Sequence, residues 1–182
     1  MNSHNIKISK ASNTIGAIIE GVKLNEELSK DTIKEIYNAF LKYQVIFFKN
    51  QNITKNEYLS FAKKIGKPIK YPFVKGIKNI PEITPILKKE TDANNFGGIW
   101  HSDTSYLNEP PKGTMLYAIE VPKIGGDTEF SNQYIAYESL SDEMKEFLDN
   151  KKALNISGKE ETTKTRSDLR KHSSTEIKSD EL

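Results

Sequence analysis

Cysteine is absent from the 182 residues of this chain. Without thiols there can be no disulfide framework, no thiolate zinc site, no iron–sulfur cluster and no cysteine nucleophile. Any metal ion must therefore be bound by histidine and carboxylate side chains. The absence of cysteine fits a reducing compartment, and the first residues lack the apolar stretch of a secretory signal, so we expect a cytoplasmic protein.

Long apolar runs and arginine are also scarce. Apolar runs such as Val45–Phe48 are only a few residues long, far short of the roughly 20 residues that a membrane helix needs. Arginine occurs only at positions 166 and 170, against 25 lysines, and the formal net charge is +2. Charges of both signs are interspersed, which differs from the concentrated basic face of a nucleic-acid-binding protein. We therefore expect neither a membrane nor a nucleic acid as partner.

Two kinds of apolar periodicity alternate in the first third of the chain. The alternation over residues 5–24 predicts two strands. After Ser29, apolar residues recur at the spacing of one helical face, which predicts an amphipathic helix with Ser29 as its N-cap. Residues 44–48 are β-branched and aromatic and predict a short buried strand. Thr54 and Glu57 then form a capping-box pattern, which predicts the start of a second helix.

The rest of the chain carries fewer and weaker patterns. Residues 66–98 are rich in proline, asparagine and glycine, so we predict mostly loop with one strand near 83–87. Further strands are predicted over 99–106 and 113–121, and helices over 132–140 and 142–148. Residues 151–182 contain 14 charged residues among 32 and should form a poorly ordered or helical tail.

One histidine lies in a pattern that suits a metal ion: the block Trp100-His101-Ser102-Asp103. On an extended segment, side chains two residues apart project to the same face, so His101 and Asp103 can converge on one ion. A third ligand would complete the facial arrangement of two histidines and one carboxylate that binds iron(II) in oxygenases. The spacing alone leaves two readings open, a metal site or an ordinary pair of surface residues.

The residues around this block resemble a known family. The stretch Asn95–Tyr106, the break Pro110-Pro111 and the turn Gly125–Thr128 follow one another as they do in the taurine dioxygenase-like iron(II)/2-oxoglutarate-dependent oxygenases. The likeness runs from about Ile6 to Leu148. It implies an α+β fold whose core is a double-stranded β-helix, the jelly-roll or cupin-like barrel, with flanking helices. Residues 1–150 would form the N-terminal part of that domain.

The same resemblance implies a site and a reaction. His101 and Asp103 would ligate Fe(II), and Thr128 would hydrogen-bond a carboxylate of the cosubstrate 2-oxoglutarate. No catalytic residue beyond the metal ligands is implied. The reaction would hydroxylate a small organic substrate while 2-oxoglutarate is converted to succinate and CO2. From the residues alone, Thr128 also fits an ordinary turn exit, and strand alternation would point Trp100 away from the metal into the core.

The sequence departs from the family pattern in its last part. Members carry a distal histidine ligand far beyond the His-x-Asp block, followed by an arginine that binds 2-oxoglutarate. Here His172 is the only downstream histidine, its surroundings are highly charged, and Arg166 and Arg170 precede it. We therefore expect an N-terminal fragment with an incomplete barrel and little catalytic turnover. Its exposed inner face would favour self-association as a homo-oligomer.

Two other functions stay open at this point. The chain could be a non-catalytic relative that serves as a binding or interaction module, with His101 and Asp103 as vestiges of a metal site. It could also be a zinc-dependent hydrolase, because histidine and aspartate suit zinc as well.

Overall fold

A computed structural model describes residues 6–71, 74–91 and 98–157 of the chain. It contains three strands and four helices: β1 (Lys7–Lys10), β2 (Ala17–Glu20), α1 (Lys30–Tyr43), β3 (Ile46–Phe48), α2 (Lys55–Ile65), α3 (Gln133–Glu138) and α4 (Asp142–Asp149). The chain divides into two compact units. The first comprises Met1–Ile65 with Leu116–Lys151, and the second Gly66–Met115 with Lys152–Leu182, as far as those ranges are described.

The three strands of the first unit form one sheet in the order β1-β2-β3. β1 and β2 are antiparallel, while β2 and β3 are parallel. Gly16 precedes β2 with a φ of 91°, and a Cβ atom there would lie 3.2 Å from the ring of Phe47. Glycine is therefore required at this turn, both for its backbone conformation and for the close approach of the ring. The three strands predicted in this region are present, but β3 is not buried as expected, since Phe47 is 41% exposed.

Helix α1 begins and packs as its pattern predicts. The Ser29 side chain accepts a hydrogen bond of 3.1 Å from the backbone N–H of Thr32, which satisfies one of the free donors at the helix start. Ile36 is fully buried on the apolar face of the helix. The other buried apolar residues of the first unit are Ala17, Ile19, Val22, Leu24, Leu28, Ala39, Ile53 and Phe61. The core of this unit thus lies between the sheet and the two long helices.

Helix α2 begins with the predicted capping box. The Thr54 backbone N–H donates to Glu57 Oε2 at 2.7 Å, and the Glu57 N–H donates in return to Thr54 Oγ1 at 3.3 Å. The Thr54 hydroxyl also donates to Glu57 Oε2 at 2.8 Å. These bonds to the charged form lower the pKa of Glu57 below its usual value, the backbone bond contributing most.

The two predicted C-terminal helices are also present, as α3 and α4. Asn132 caps α3, because its Oδ1 accepts from the N–H groups of Tyr134 and Ile135. Its Nδ2 donates to the Thr14 carbonyl at 2.6 Å, which ties the helix start to the turn between β1 and β2. Ser141 caps α4 in the same manner as Ser29 caps α1.

The strands predicted over 83–87, 99–106 and 113–121 are wrong for the part of the chain that the structure describes. A strand needs a neighbour that pairs with its backbone and covers its apolar face. Within the described ranges no strand pairs with residues 113–121, and Ile119 is 87% exposed. The structure is therefore a mixed α/β fold with a small sheet, and the double-stranded β-helix stays a prediction.

The second unit is built from turns. Within it, the Ile77 N–H donates to the Ile83 carbonyl at 2.9 Å and closes a compact loop. Residues 151–157 form no helix or strand. Most of the predicted charged tail, 158–182, lies outside the described residues, and the predicted domain boundary at 150 stays a prediction. No helix in the described ranges is both long and apolar enough to cross a membrane.

Candidate metal centre

The His-x-Asp block lies in the second unit, on a segment without regular secondary structure. Directly after the block, Thr104 has a φ of 46° and is buried. A β-branched residue in this left-handed region carries strain on the order of 1–3 kcal/mol, which the surrounding structure must hold in place. The Thr104 carbonyl accepts from the Leu107 N–H at 3.1 Å, so Asp103 leads into a fixed turn.

The structure brings the side chains of His101 and Asp103 together. His101 Nε2 lies 3.2 Å from Asp103 Oδ1, with the two side chains 43% and 52% exposed. The expected reason was wrong, because the segment is not a strand. The pair is followed by the turn at Thr104, where a strand was expected. The imidazole and the carboxylate do approach each other as predicted. Their role as metal ligands stays a prediction.

The second ring nitrogen of His101 fixes the tautomer of the imidazole. His101 Nδ1 lies 2.7 Å from the backbone carbonyl of Ile99. A carbonyl oxygen can only accept, so Nδ1 must carry the hydrogen. In the neutral ring, Nε2 then has a free lone pair that faces the Asp103 carboxylate. A nitrogen lone pair and a carboxylate oxygen that converge in this way can bind one metal ion together.

The carboxylate of Asp103 has a different partner on each oxygen. Oδ1 faces His101, and Oδ2 accepts a hydrogen bond of 2.7 Å from the hydroxyl of Thr114. Thr114 follows Asp103 by 11 residues. The sequence analysis missed this residue, because no periodicity or motif relates the two positions. Only the path of the backbone through the second unit brings them together.

A nitrogen and a carboxylate oxygen are donors that suit Fe(II), so this pair fits two positions of the implied site. Within the described ranges, no group of three histidine or acidic residues could hold a metal ion. His172, the downstream candidate for the third ligand, lies outside those ranges, as do Arg166 and Arg170.

Two other residues of the sequence analysis have different outcomes. Thr128 is exposed and belongs to the first unit, after Gly125 and Gly126, which both have positive φ as a tight turn requires. Its contact with 2-oxoglutarate stays a prediction. Trp100 was expected in the core, and this is wrong: it is 68% exposed, because the segment lacks the strand alternation that would have turned it inward.

Comparison with known proteins decides the family. Residues 7–179 match the family described as "Taurine catabolism dioxygenase TauD, TfdA family". The chain belongs to this family. An alkylsulfatase of Acinetobacter baylyi is 32% identical over 146 residues, which are 79% of this chain and 45% of that protein. The expected family resemblance is thus confirmed.

Other members of the TauD, TfdA family give the same picture. An α-ketoglutarate-dependent sulfate ester dioxygenase of Pseudomonas putida is 31% identical, over 74% of this chain and 44% of its own length. The crystal structure of a taurine dioxygenase from Burkholderia xenovorans superposes with a TM-score of 0.63 at 28% identity, covering 80% of this chain and 51% of the other. The chain therefore spans about half the length of the relatives that it matches.

Proposed function

We propose that the chain acts in an Fe(II)- and 2-oxoglutarate-dependent dioxygenase that hydroxylates a small organic substrate with release of succinate and CO2. The observation that carries the proposal is the pairing of His101 Nε2 and Asp103 Oδ1 at 3.2 Å. The Ile99 carbonyl supports it by holding His101 in the tautomer whose Nε2 can bind a metal. Membership of a family of dioxygenases supplies the reaction.

The roles proposed for His101 and Asp103 rest on that geometry, and the role proposed for Thr128 rests on the family resemblance alone. His101 would bind the metal through Nε2, and Asp103 through Oδ1. Thr128 would donate a hydrogen bond to a carboxylate of 2-oxoglutarate. When bound, the iron and 2-oxoglutarate together activate dioxygen for attack on a C–H bond of the substrate. The protein contributes placement, because it orients both ligands and leaves open positions on the metal.

The substrate class is proposed from what the relatives are named for. Their names refer to sulfate esters, phenoxypropionate and 2,4-dichlorophenoxyacetate. These compounds differ in their carbon skeletons, but each carries an acidic group. We therefore propose a small organic anion as the substrate.

Metal binding tests the proposal most directly. Fe(II) is titrated without oxygen into the full chain and into His101→Ala and Asp103→Ala. Both variants should lose binding, because each removes one of only two described ligands. Ser102→Ala is the matched control, since it changes the residue between the ligands without removing a donor from the metal, and it should bind as the parent does.

The outcome separates this proposal from the non-catalytic alternative. If the parent and both alanine variants bind Fe(II) equally, His101 and Asp103 are not its ligands and the proposed function is wrong. If zinc binds and a hydrolysed product forms in place of succinate, the chain is a hydrolase instead.

A further inference from the structure

We propose that Thr114 is a positioning residue for the metal centre: its hydroxyl holds Asp103 Oδ2 and so orients Oδ1 for the metal. The inference rests on the proposed function and deepens it. It assigns a role to a residue outside the His-x-Asp block, and this role follows from the geometry of the second unit alone.

The hydrogen bond has the form of a strong, directional contact. Thr114 Oγ1 lies 2.7 Å from Asp103 Oδ2, a short distance typical of a hydroxyl that donates to a charged oxygen. The hydroxyl and His101 lie on different oxygens of the same carboxylate. A partial rotation of the carboxylate about its Cβ–Cγ bond would break both contacts at once, whereas a half-turn only exchanges two equivalent oxygens. The pair of contacts therefore fixes the plane of the carboxylate, with one oxygen directed at the imidazole.

The backbone next to Asp103 is constrained. Asp103 is followed by Thr104 in its left-handed conformation, and the Thr104 carbonyl accepts from the Leu107 N–H at 3.1 Å. The turn and the Thr114 hydroxyl together hold the carboxylate before any ion binds, which reduces the ordering that binding would otherwise require.

The consequence for the metal concerns the affinity of the site. A ligand that is already oriented loses less conformational freedom when the ion binds than one that must first be ordered. By holding Oδ2, Thr114 keeps Oδ1 directed toward His101 Nε2, and loss of the hydroxyl should therefore weaken metal binding.

The experiment compares three variants of the full chain with Mn(II) as the probe, since Mn(II) bound and free can be distinguished by electron paramagnetic resonance. Thr114→Val keeps the shape of the side chain but removes the donor, and should weaken Mn(II) binding about 10- to 100-fold, as loss of a hydrogen-bond partner of a ligand does. Thr114→Ser restores the hydroxyl and should restore the parent affinity.

Thr84→Val is the matched control. Thr84 lies in the same unit, and its Oγ1 is buried without a hydrogen-bond partner in the described structure. The same substitution there removes a hydroxyl that holds nothing, so Mn(II) affinity should equal that of the parent. The visible spectrum of the Co(II)-loaded chain gives a second readout. It should change in Thr114→Val and return in Thr114→Ser, because it reports how the carboxylate is bound.

Each result has a definite meaning. If the parent binds Mn(II) and Thr114→Val binds it equally with an unchanged Co(II) spectrum, Thr114 has no positioning role and only this inference fails. If Thr114→Val and Thr84→Val lose affinity alike, the loss comes from packing in the unit, and the inference also fails. If the parent itself binds no metal, the proposed function is wrong and the role of Thr114 is wrong with it.

Discussion

Residues 6–24 and residues 113–121 carry the same alternation of apolar and polar side chains, yet only the first range forms strands. In the first range, β1 turns back on β2 and pairs with it over four residues, and β3 then pairs with the other edge of β2. All three strands find their partners within about 40 residues of sequence, where loop closure costs little entropy. In the second range, no described strand pairs with the chain, although Tyr117 packs against Tyr58 and donates to the Gln51 carbonyl.

Two isoleucines show the difference most clearly. Ile19 in β2 is 1% exposed and Ile119 is 87% exposed, although both occupy apolar positions of an alternating pattern. Alternation identifies which side chains would share a face of a strand. Whether that face is buried depends on a second element that the pattern does not contain. An alternating pattern therefore indicates which side chains would share a face of a strand, but it does not indicate whether another strand pairs with that segment.

The largest expected effect comes from truncating these two isoleucines in turn. Ile19→Ala should lower the free energy of unfolding by about 2–5 kcal/mol, because it leaves a cavity in the core of the first unit. Ile119→Ala, the same substitution at an exposed position, should change it by less than about 0.5 kcal/mol. Urea denaturation of both variants and the parent measures the two values.

Equal costs at the two positions would break the comparison. A large effect of Ile119→Ala would mean that residues 113–121 pack against a neighbour in solution, and that the predicted strand forms there after all. Similar m-values for parent and variants are required for this reading, since a changed m-value would point to an altered denatured state.

Much of the first unit could be predicted from the sequence because its determinants are local. Ser29 and Thr54 lie within three residues of the backbone groups that they cap, so the pattern contains both partners of each hydrogen bond. The helix faces of α1 and α2 follow from spacing in the same way. The strands of 83–87, 99–106 and 113–121 required partners far away in sequence, and there prediction failed.

In the candidate site too, some residues could be predicted from the sequence and others could not. His101 and Asp103 could be found as candidate ligands because they lie two residues apart in sequence, although the strand predicted for that segment is absent. The Ile99 carbonyl and the Thr114 hydroxyl could not be found, because each depends on the backbone path. Trp100 was misplaced for the same reason. The candidate ligands are thus recognisable from the sequence, while their hydrogen-bond partners depend on the conformation of the backbone.

A smaller effect is expected from the loop that closes at Ile77 in the second unit. An added methyl group at Gly76 would overlap the backbone carbonyl group of Pro81, whereas a methyl group at Gly66 would meet nothing within 4 Å. Gly76→Ala should therefore cost about 1–3 kcal/mol of local stability through overpacking. Gly66→Ala should be neutral, or stabilising by about 0.4–1 kcal/mol.

Hydrogen exchange of the backbone amides resolves this effect locally. The amides of Ile77, Ile80 and Ile83 all donate within the loop. Their exchange should accelerate in Gly76→Ala and stay unchanged in Gly66→Ala. Unchanged exchange in both variants would contradict this prediction. It would show that the backbone at Pro81 can shift to accommodate the methyl group while the three hydrogen bonds of the loop are kept.

The smallest expected effect is the pH dependence of the capping box of α2. Thr54 lowers the pKa of Glu57 below 4.5 in the folded chain, the backbone N–H first and the hydroxyl second. A carboxyl group whose pKa is lower when folded adds stability above its unfolded pKa, and this contribution is lost as the pH falls through the folded value. Helix α2 should therefore fray as the pH falls below 4.5, seen as smaller protection factors for the amides of its first turn after correction for the intrinsic pH dependence of exchange. Glu57→Gln keeps a side-chain acceptor without the charge, so its first turn should respond less to acid. Identical acid responses in the parent and Glu57→Gln would mean that the charge of Glu57 adds nothing to the helix start.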